Sequence, residues 1–249
     1  MNPWLIGVPA AIGGAAGLTA YGAIHSRAQL FGRTTYRTNS SRKLAITFDD
    51  GPNPSITPKL LDLLDKFKAR ATFFVIGAYA REFPELVREA KARGHVVGNH
   101  TETHPRLFWR NSSDIRVELH LCQSAIKNAT GVPPKWFRPP FGLRNPWVAM
   151  AARELDLRTA MWTLMPGDWK APSAQWLIER MEPIAKHARR SAQKAGGSGD
   201  ILCLHDGSHR QQNTDRSQTL AALEHWLPRW RDLGLEFVTI EDAVSSPAA

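Results

Sequence analysis

The sequence predicts a single α/β domain whose parallel strands form a closed or partly closed barrel. The chain has 249 residues with 43% apolar side chains, which is enough for one sizeable core. Strand-type and helix-type patterns alternate from about residue 43 onward, and no second linker interrupts them. Repeated βα units imply a parallel sheet, and a barrel is the simplest way to shelter its strands from solvent.

The predicted elements follow from hydrophobic periodicity. Seven short apolar runs are predicted as strands: Leu44 to Phe48, Ala71 to Ile76, His95 to Gly98, Trp136 to Arg138, Thr159 to Leu164, Ile201 to Leu204 and Glu236 to Ile240. Helical spacing predicts helices at Ser55 to Lys68, Pro84 to Arg93, Ser113 to Ala129, Pro146 to Glu154 and Ser173 to Lys194, and a last one carrying Leu220, Leu223, Leu227 and Trp230.

The net charge of the chain indicates which class of partner it can attract. The formal net charge is +9, which favours attraction to anionic surfaces. The basic residues are scattered over several predicted helices without interleaved aromatic residues, so no nucleic-acid partner is expected.

Cys122 and Cys203 are the only cysteines and neither belongs to a CxxC motif, so both are predicted to be small buried residues.

Two adjacent acids, Asp49 and Asp50, end the first predicted strand and precede a Gly-Pro turn. One carboxylate can bind a cation while the other remains free to move protons. His100 and His104 are four residues apart, so on one helical turn both imidazoles would point the same way and could bind a divalent cation together with Asp50. Such a set leaves coordination positions for a water and a substrate oxygen.

Polar residues follow or end several predicted strands, and in a βα barrel such strand ends converge on one face. We therefore expect one pocket to contain Asp49, Asp50, His100, Arg138, Asp168 and His205.

These residues belong to five motifs that resemble, in order, those of the polysaccharide deacetylase family, the NodB homology domain of carbohydrate esterase family four. The motifs are Thr47 to Pro52, His100 to His104, Arg138 to Gly142, Asp168-Trp169 and Leu202 to His205. The resemblance implies a distorted, TIM-like (β/α)7 barrel in a single catalytic domain at residues 43–245. It also implies hydrolysis of an acetyl group, usually on an N-acetylated sugar.

The resemblance assigns the metal and the base. Asp50, His100 and His104 would hold one divalent ion, with zinc first and cobalt, nickel or iron also compatible with these donors. Asp49 would be the general base toward the attacking water, and Arg138 would orient it and keep it ionised.

The resemblance also assigns the acid and the substrate contacts. His205 would protonate the departing amine, and Asp168 would orient that imidazole and favour its charged form. A backbone N–H near Phe141 would help hold the negative charge on the carbonyl oxygen. Trp169 and Leu204 would line an acetyl pocket. The family often has Tyr where this chain has Phe141, so a hydroxyl contact is missing there.

The expected partner is an N-acetylated glycan of the GlcNAc type, such as peptidoglycan, chitin oligomers or an exopolysaccharide, at the cell envelope. Two alternatives remain at this point: an O-acetyl ester hydrolase acting on a xylan-like glycan, and a catalytically silent, membrane-tethered glycan-binding module.

The N-terminus is a separate prediction. Residues 1–24 carry no charged side chain, so residues 1–25 are predicted as a membrane anchor or a signal segment, with residues 26–42 as a polar linker. The domain would then be membrane-anchored, secreted or periplasmic. The basic residues after this segment, among them Arg27, Arg33 and Arg37, would keep a membrane-anchored domain on the cytoplasmic side. This conflicts with an envelope role and leaves the orientation open.

Overall fold

A curled parallel sheet forms the centre of the chain in the computed structural model, which describes residues 17–192 and 196–245. Its strands within these residues are β1 Thr34–Thr35, β2 Lys43–Gly51, β3 Thr72–Val75, β4 Val96–Asn99, β5 Trp136–Phe137, β6 Arg158–Ala160, β7 Asp200–His205 and β8 Glu236–Val238. The spatial order is β1-β6-β5-β4-β3-β2-β7, and β8 pairs with the start of β2.

The chain after β6 brings the two ends of the curled sheet together. Leu164 forms a parallel bridge with Leu202 of β7, and the Cys203 N–H donates to the Leu164 carbonyl at 2.9 Å. The sequence prediction of a distorted (β/α)7 barrel is therefore confirmed. The predicted strand Thr159 to Leu164 is interrupted, because β6 ends at Ala160 and the chain joins β7 only at Leu164.

The helices cover the outside of the sheet. They are Thr57–Lys66, Gly77–Glu82, Pro84–Ala92, Ser112–Thr130, Pro146–Glu154, Ala174–Ser191 and Ser217–Asp232, with 3₁₀ turns at Leu107–Trp109, Pro140–Gly142 and Asp168–Lys170. The longest begins where the Asn111 side chain accepts a hydrogen bond from the Asp114 N–H, and it ends at Gly131, whose left-handed backbone suits glycine.

Strand alternation divides the buried side chains between two faces of the sheet. Leu44, Ile46 and Phe48 of β2 pack outward in a large cluster with the helices, whereas Ala45 packs in a smaller cluster with Phe74, Trp136 and Ile201. Successive side chains of a strand point to opposite faces. Thr47 and Asp49 therefore share the inner face of the barrel with Ala45.

The segment predicted as a linker takes part in the sheet. β1 pairs with β6, Arg37 forms an antiparallel bridge with Asp200, and Thr38 is buried. A strand of only two residues carries too little periodicity to be seen in the sequence.

The predicted anchor falls largely on residues 1–16, which lie outside the described residues. Residues 17–24 are helical and expose Leu18, Tyr21 and Ile24. Within the described ranges, no helix combines the length and the apolar character needed to cross a membrane.

Candidate active site

Asp49 lies at the inner face of β2 and forms an ion pair with Arg138. The Arg138 Nη1 donates to Asp49 Oδ1 and to the Thr47 hydroxyl, each at 2.7 Å, and Nη2 donates to the Met161 carbonyl at 3.1 Å. The guanidinium is fully buried and lies 4.2 Å from the centre of the Phe74 ring. These contacts hold Arg138 in one orientation and aim its charge at Asp49.

Asp50, the next residue, points toward two imidazoles. Its Oδ1 is 3.4 Å from His100 Nε2 and 3.2 Å from His104 Nε2, yet this buried oxygen has no hydrogen-bond partner among the described residues. Burial alone would raise the pKa of Asp50, but the surrounding imidazoles, led by His100, bring that pKa well below its usual value. The carboxylate is therefore ionised and available to a cation.

The His pair lies in a loop, so the prediction that both residues sit on one helical turn is wrong. β4 ends at Asn99, whose side chain accepts from the Thr101 N–H, and Thr101 and His104 both have a left-handed backbone. The Thr101 hydroxyl in turn accepts from the His104 N–H at 3.0 Å. These turns, rather than helical spacing, direct both imidazoles toward Asp50.

Both imidazoles are in the neutral form that binds a metal ion. His100 Nδ1 lies 2.7 Å from the Arg138 carbonyl, which can only accept, so Nδ1 carries the proton and Nε2 has a free lone pair. Burial is the largest cause that lowers the pKa of His104, to about 3, which keeps this imidazole neutral at neutral pH.

Asp50, His100 and His104 fit one divalent cation. A ligand atom from each lies within 4.8 Å of the other two, and the orphaned Asp50 Oδ1 faces both Nε2 atoms. Asp49, Cys203 and His205 also cluster within that range. This second set fits less well, because burial raises the pKa of the Cys203 thiol far above its usual value and a metal binds the thiolate.

His205, at the end of β7, is held by Asp168. His205 Nδ1 lies 2.8 Å from Asp168 Oδ1, and the His205 N–H donates to Oδ2 at 2.7 Å. Burial lowers the pKa of His205, but the negative charge of Asp168 and, to a lesser extent, of Asp50 and Asp49 outweighs burial and raises it to about 9. The imidazole is thus a charged acid at neutral pH.

Asp49 and His205 occupy paired positions on adjacent strands, because β2 and β7 align these two residues in register. Both line a cavity of about 670 Å³ that also contains Asp50, His100 and His104. The parallel strands therefore place a carboxylate and a protonated imidazole on the same side of the sheet, beside the Asp50 cluster.

Two of the three predicted substrate contacts line this cavity. Phe141 and Trp169 are partly exposed at its wall, and Trp169 packs its ring edge-on against the His205 ring at 5.0 Å. The placement of Leu204 in the acetyl pocket is wrong. Leu204 is fully buried in the outer cluster, because Cys203 and His205 take the inner face of β7 and Leu204 points the other way.

Sequence reasoning missed several residues of the cavity wall, including His209, Trp162 and Met165. The His209 ring stacks on His104 at 4.3 Å with an angle of 17° between the planes, and its Nδ1 lies 3.6 Å from Asp50 Oδ2. The one available signal was the spacing of His209 four residues after His205, and the chain between them is not helical.

A family model described as polysaccharide deacetylase matches residues 36–160, which is half of the chain. This protein belongs to the polysaccharide deacetylase family. The match begins in the segment that contributes β1 and contains the Asp49-Asp50 pair, the His100 to His104 loop and Arg138. The resemblance inferred from the five motifs is confirmed.

Several known proteins are similar to this chain over most of its length. A peptidoglycan-N-acetylglucosamine deacetylase of Bacillus cereus is 40% identical over 82% of this chain and 89% of its own. A chitooligosaccharide deacetylase of Azorhizobium caulinodans is 33% identical over 80% of this chain and 93% of its own. A crystal structure of the Bc1960 peptidoglycan N-acetylglucosamine deacetylase superposes with a TM-score of 0.72 at 27% identity, covering 87% of this chain and 95% of that one.

Proposed function

We propose that this chain is a metal-dependent hydrolase that removes acetyl groups from the N-acetylated sugars of a GlcNAc-type glycan. The observation that carries the proposal is the pairing of Asp49 with His205 on adjacent strands at the wall of one cavity, beside the Asp50, His100 and His104 cluster. A base and an acid beside a Lewis-acid site are what amide hydrolysis requires.

The substrate class is supported by the relatives, which are named for peptidoglycan and chitooligosaccharide deacetylation. Both substrates contain N-acetylglucosamine. The proposed location is accordingly the cell envelope or its outside, where such glycans are found. The domain is proposed to span residues 43–245, together with the packed segment that contributes β1.

Asp49 is the proposed base, which takes a proton from the water that attacks the acetyl carbonyl. The Arg138 guanidinium stabilises the ionised form and fixes the direction of the carboxylate through its contact with Oδ1. A divalent ion held by Asp50, His100 and His104, with zinc first, would polarise the carbonyl and lower the pKa of water.

His205 is the proposed acid, which gives its Nε2 proton to the departing amine. The proton is needed because an amide anion is a very poor leaving group. Asp168 engages Nδ1 and the backbone N–H of His205, so the ring presents Nε2 to the cavity in its charged form. Phe141, whose backbone lies in the left-handed region, is proposed to offer its N–H to the carbonyl oxygen, while Trp169 covers the His205 side of the substrate.

The test is acetate release from matched N-acetylated and O-acetylated glycans, with added Zn²⁺ or Co²⁺ and with a chelator. We expect metal-dependent release from chitin oligomers or peptidoglycan, and Asp49→Asn should lower kcat by about 10² to 10⁴-fold. Asp62→Asn is the matched control, because Asp62 is an exposed partner of Arg93.

The same experiment separates the alternatives. Release from O-acetylated xylan alone would make the protein an ester hydrolase. Glycan binding without acetate release from any substrate would make it a silent binding module and contradict the proposal.

A further inference from the structure

A second cavity, of about 390 Å³, lies at the other end of β7 from the active site. Asp200 begins β7 and His205 ends it, so at about 3.3 Å per residue the two ends are about 16 Å apart. The two cavities share no lining residue among those described. We call the second cavity the basic groove, after the side chains that line it: Arg27, Arg37, Lys186, His187 and Arg190, with Asp200.

The basic groove concentrates positive charge that the protein neutralises only in part: Lys186 pairs with Glu182 at 2.6 Å, whereas the three arginines of the lining remain unpaired in the part of the chain that the structure describes. Within the described residues, the guanidinium groups of Arg27, Arg37 and Arg190 have no ion pair or side-chain hydrogen bond. Asp200 is the one carboxylate of the lining, and His187 Nδ1 already engages it at 2.5 Å.

Other arginines of the chain show the contrast. Arg93, for example, is only partly exposed at the end of a helix and pairs with Asp62, Asp65 and Glu89. Like charges that face one concavity repel one another, and a bound anion removes that repulsion.

We propose that the basic groove binds a phosphate group of an organic phosphate ester. Guanidinium groups donate paired hydrogen bonds to phosphate oxygens, and several can engage one phosphate at once, whereas a single carboxylate offers two oxygens and one charge. Leu164, Pro183 and Ile184 supply an apolar surface for the organic part.

The phosphate ester has two candidate sources: a water-soluble glycerol phosphate and the headgroup of an anionic phospholipid. The chemistry that recognises the phosphate is shared by both. The proposal concerns a site separate from the active site and does not depend on the proposed deacetylase activity.

The test compares the full chain with Arg37→Gln/Arg190→Gln and with the control Arg88→Gln/Arg153→Gln. Both pairs remove two positive charges, and Arg88 and Arg153 are exposed on helices away from the groove. Arg190→Gln alone, at an exposed helical position, is a second variant in case Arg37 contributes to folding. Thermal melting checks that each variant is folded.

Two probes are used at 150 mM salt: sn-glycerol 3-phosphate by calorimetry, and phosphatidylglycerol vesicles against phosphatidylcholine vesicles by sedimentation. We expect the groove variants to weaken binding by about tenfold or more and the control to retain it. Binding of the soluble ester identifies a soluble source, and groove-dependent binding of vesicles alone identifies a lipid headgroup. Absence of binding to both probes, or equal loss in groove and control variants, would overturn the proposal.

Discussion

At the residue scale, the two neighbouring acids differ because their backbones differ. Asp49 follows the strand alternation and meets Arg138 on the inner face, whereas Asp50 has a left-handed backbone with φ of 70° and turns toward the imidazoles. Gly207 allows this arrangement, since a Cβ at that position would collide with the Asp50 carbonyl. One sequence pair thereby supplies two separate carboxylate environments.

The acid role of His205 predicts a difference between two leaving groups. His205→Ala should reduce N-acetyl hydrolysis by about 10² to 10⁴-fold and ester hydrolysis by clearly less. An alkoxide is a better leaving group than an amide anion, so an ester needs less protonation of its leaving group. The measurement is kcat on paired N-acetyl and O-acetyl substrates. Equal losses on both substrates would argue against this role.

His209 predicts an effect on metal affinity. Its ring covers one face of His104 and its Nδ1 faces Asp50, so His209→Ala should loosen two ligands and weaken Zn²⁺ binding by about tenfold. Competition with a chromophoric chelator measures this affinity. His120→Ala, at an exposed helical position, is the control. Unchanged affinity in the His209 variant would show that the contacts do not support the ligands.

At the element scale, the sequence predicted which residues gather at the site better than it predicted the backbone conformation that positions them. The expectation that polar residues gather at the strand ends was sound, because parallel strands align their ends whatever the loops do. The conformation of the His100 to His104 loop was not predictable from spacing, since side-chain hydrogen bonds of Asn99 and Thr101 decide it. Leu204 belongs to the matching motif, but strand alternation turns its side chain to the outer face of β7 and excludes it from the cavity.

The helix Ser112–Thr130 offers a test of local stability separate from chemistry. The Asn111 side chain accepts from the Asp114 N–H at 2.9 Å, so Asn111→Ala should lower the free energy of unfolding by about 1 kcal/mol. Urea unfolding measures the change, and kcat should stay the same. Asn111→Asp should restore most of the stability. A loss as large in the Asp variant as in the Ala variant would contradict the capping role.

At the scale of the whole molecule, the stability should depend on pH through His95. This buried imidazole accepts a hydrogen bond from the Ala71 N–H, and burial, then the charge of Arg70, lowers the pKa of His95 to about 4 from its usual 6.5. The unfolded chain binds this proton more readily than the folded chain. The contribution of neutral His95 to stability is therefore complete above pH 6.5 and is lost as the pH falls toward 4. This loss lowers the free energy of unfolding by up to about 3 kcal/mol.

His95→Asn keeps an acceptor near the Ala71 N–H but cannot titrate. Urea unfolding at a series of pH values from 7 to 4 should show a shallower fall in stability for this variant than for the unaltered protein. His120→Asn serves as the exposed control and should leave the slope unchanged. A slope in the His95 variant equal to that of the unaltered protein would place the pH dependence elsewhere.

The barrel as a whole was predictable because its alternating patterns extend over most of the chain, and chance rarely produces so long a series. β1 was not predicted because its two residues carry too little periodicity and pair only with β6, a strand distant in the sequence. The basic groove escaped for the same reason: Arg27, Arg37 and Arg190 come from distant parts of the sequence, and only the closed sheet brings them to one cavity.

The central claim is that Asp50, His100 and His104 bind the metal while Asp49 and His205 remain free for proton transfer. Anomalous diffraction at the zinc edge, from crystals of the Zn²⁺-loaded protein, tests it most directly. The account predicts a peak about 2.0 to 2.2 Å from a carboxylate oxygen of Asp50 and from Nε2 of both histidines. A peak coordinated instead by Asp49, Cys203 and His205 would contradict it.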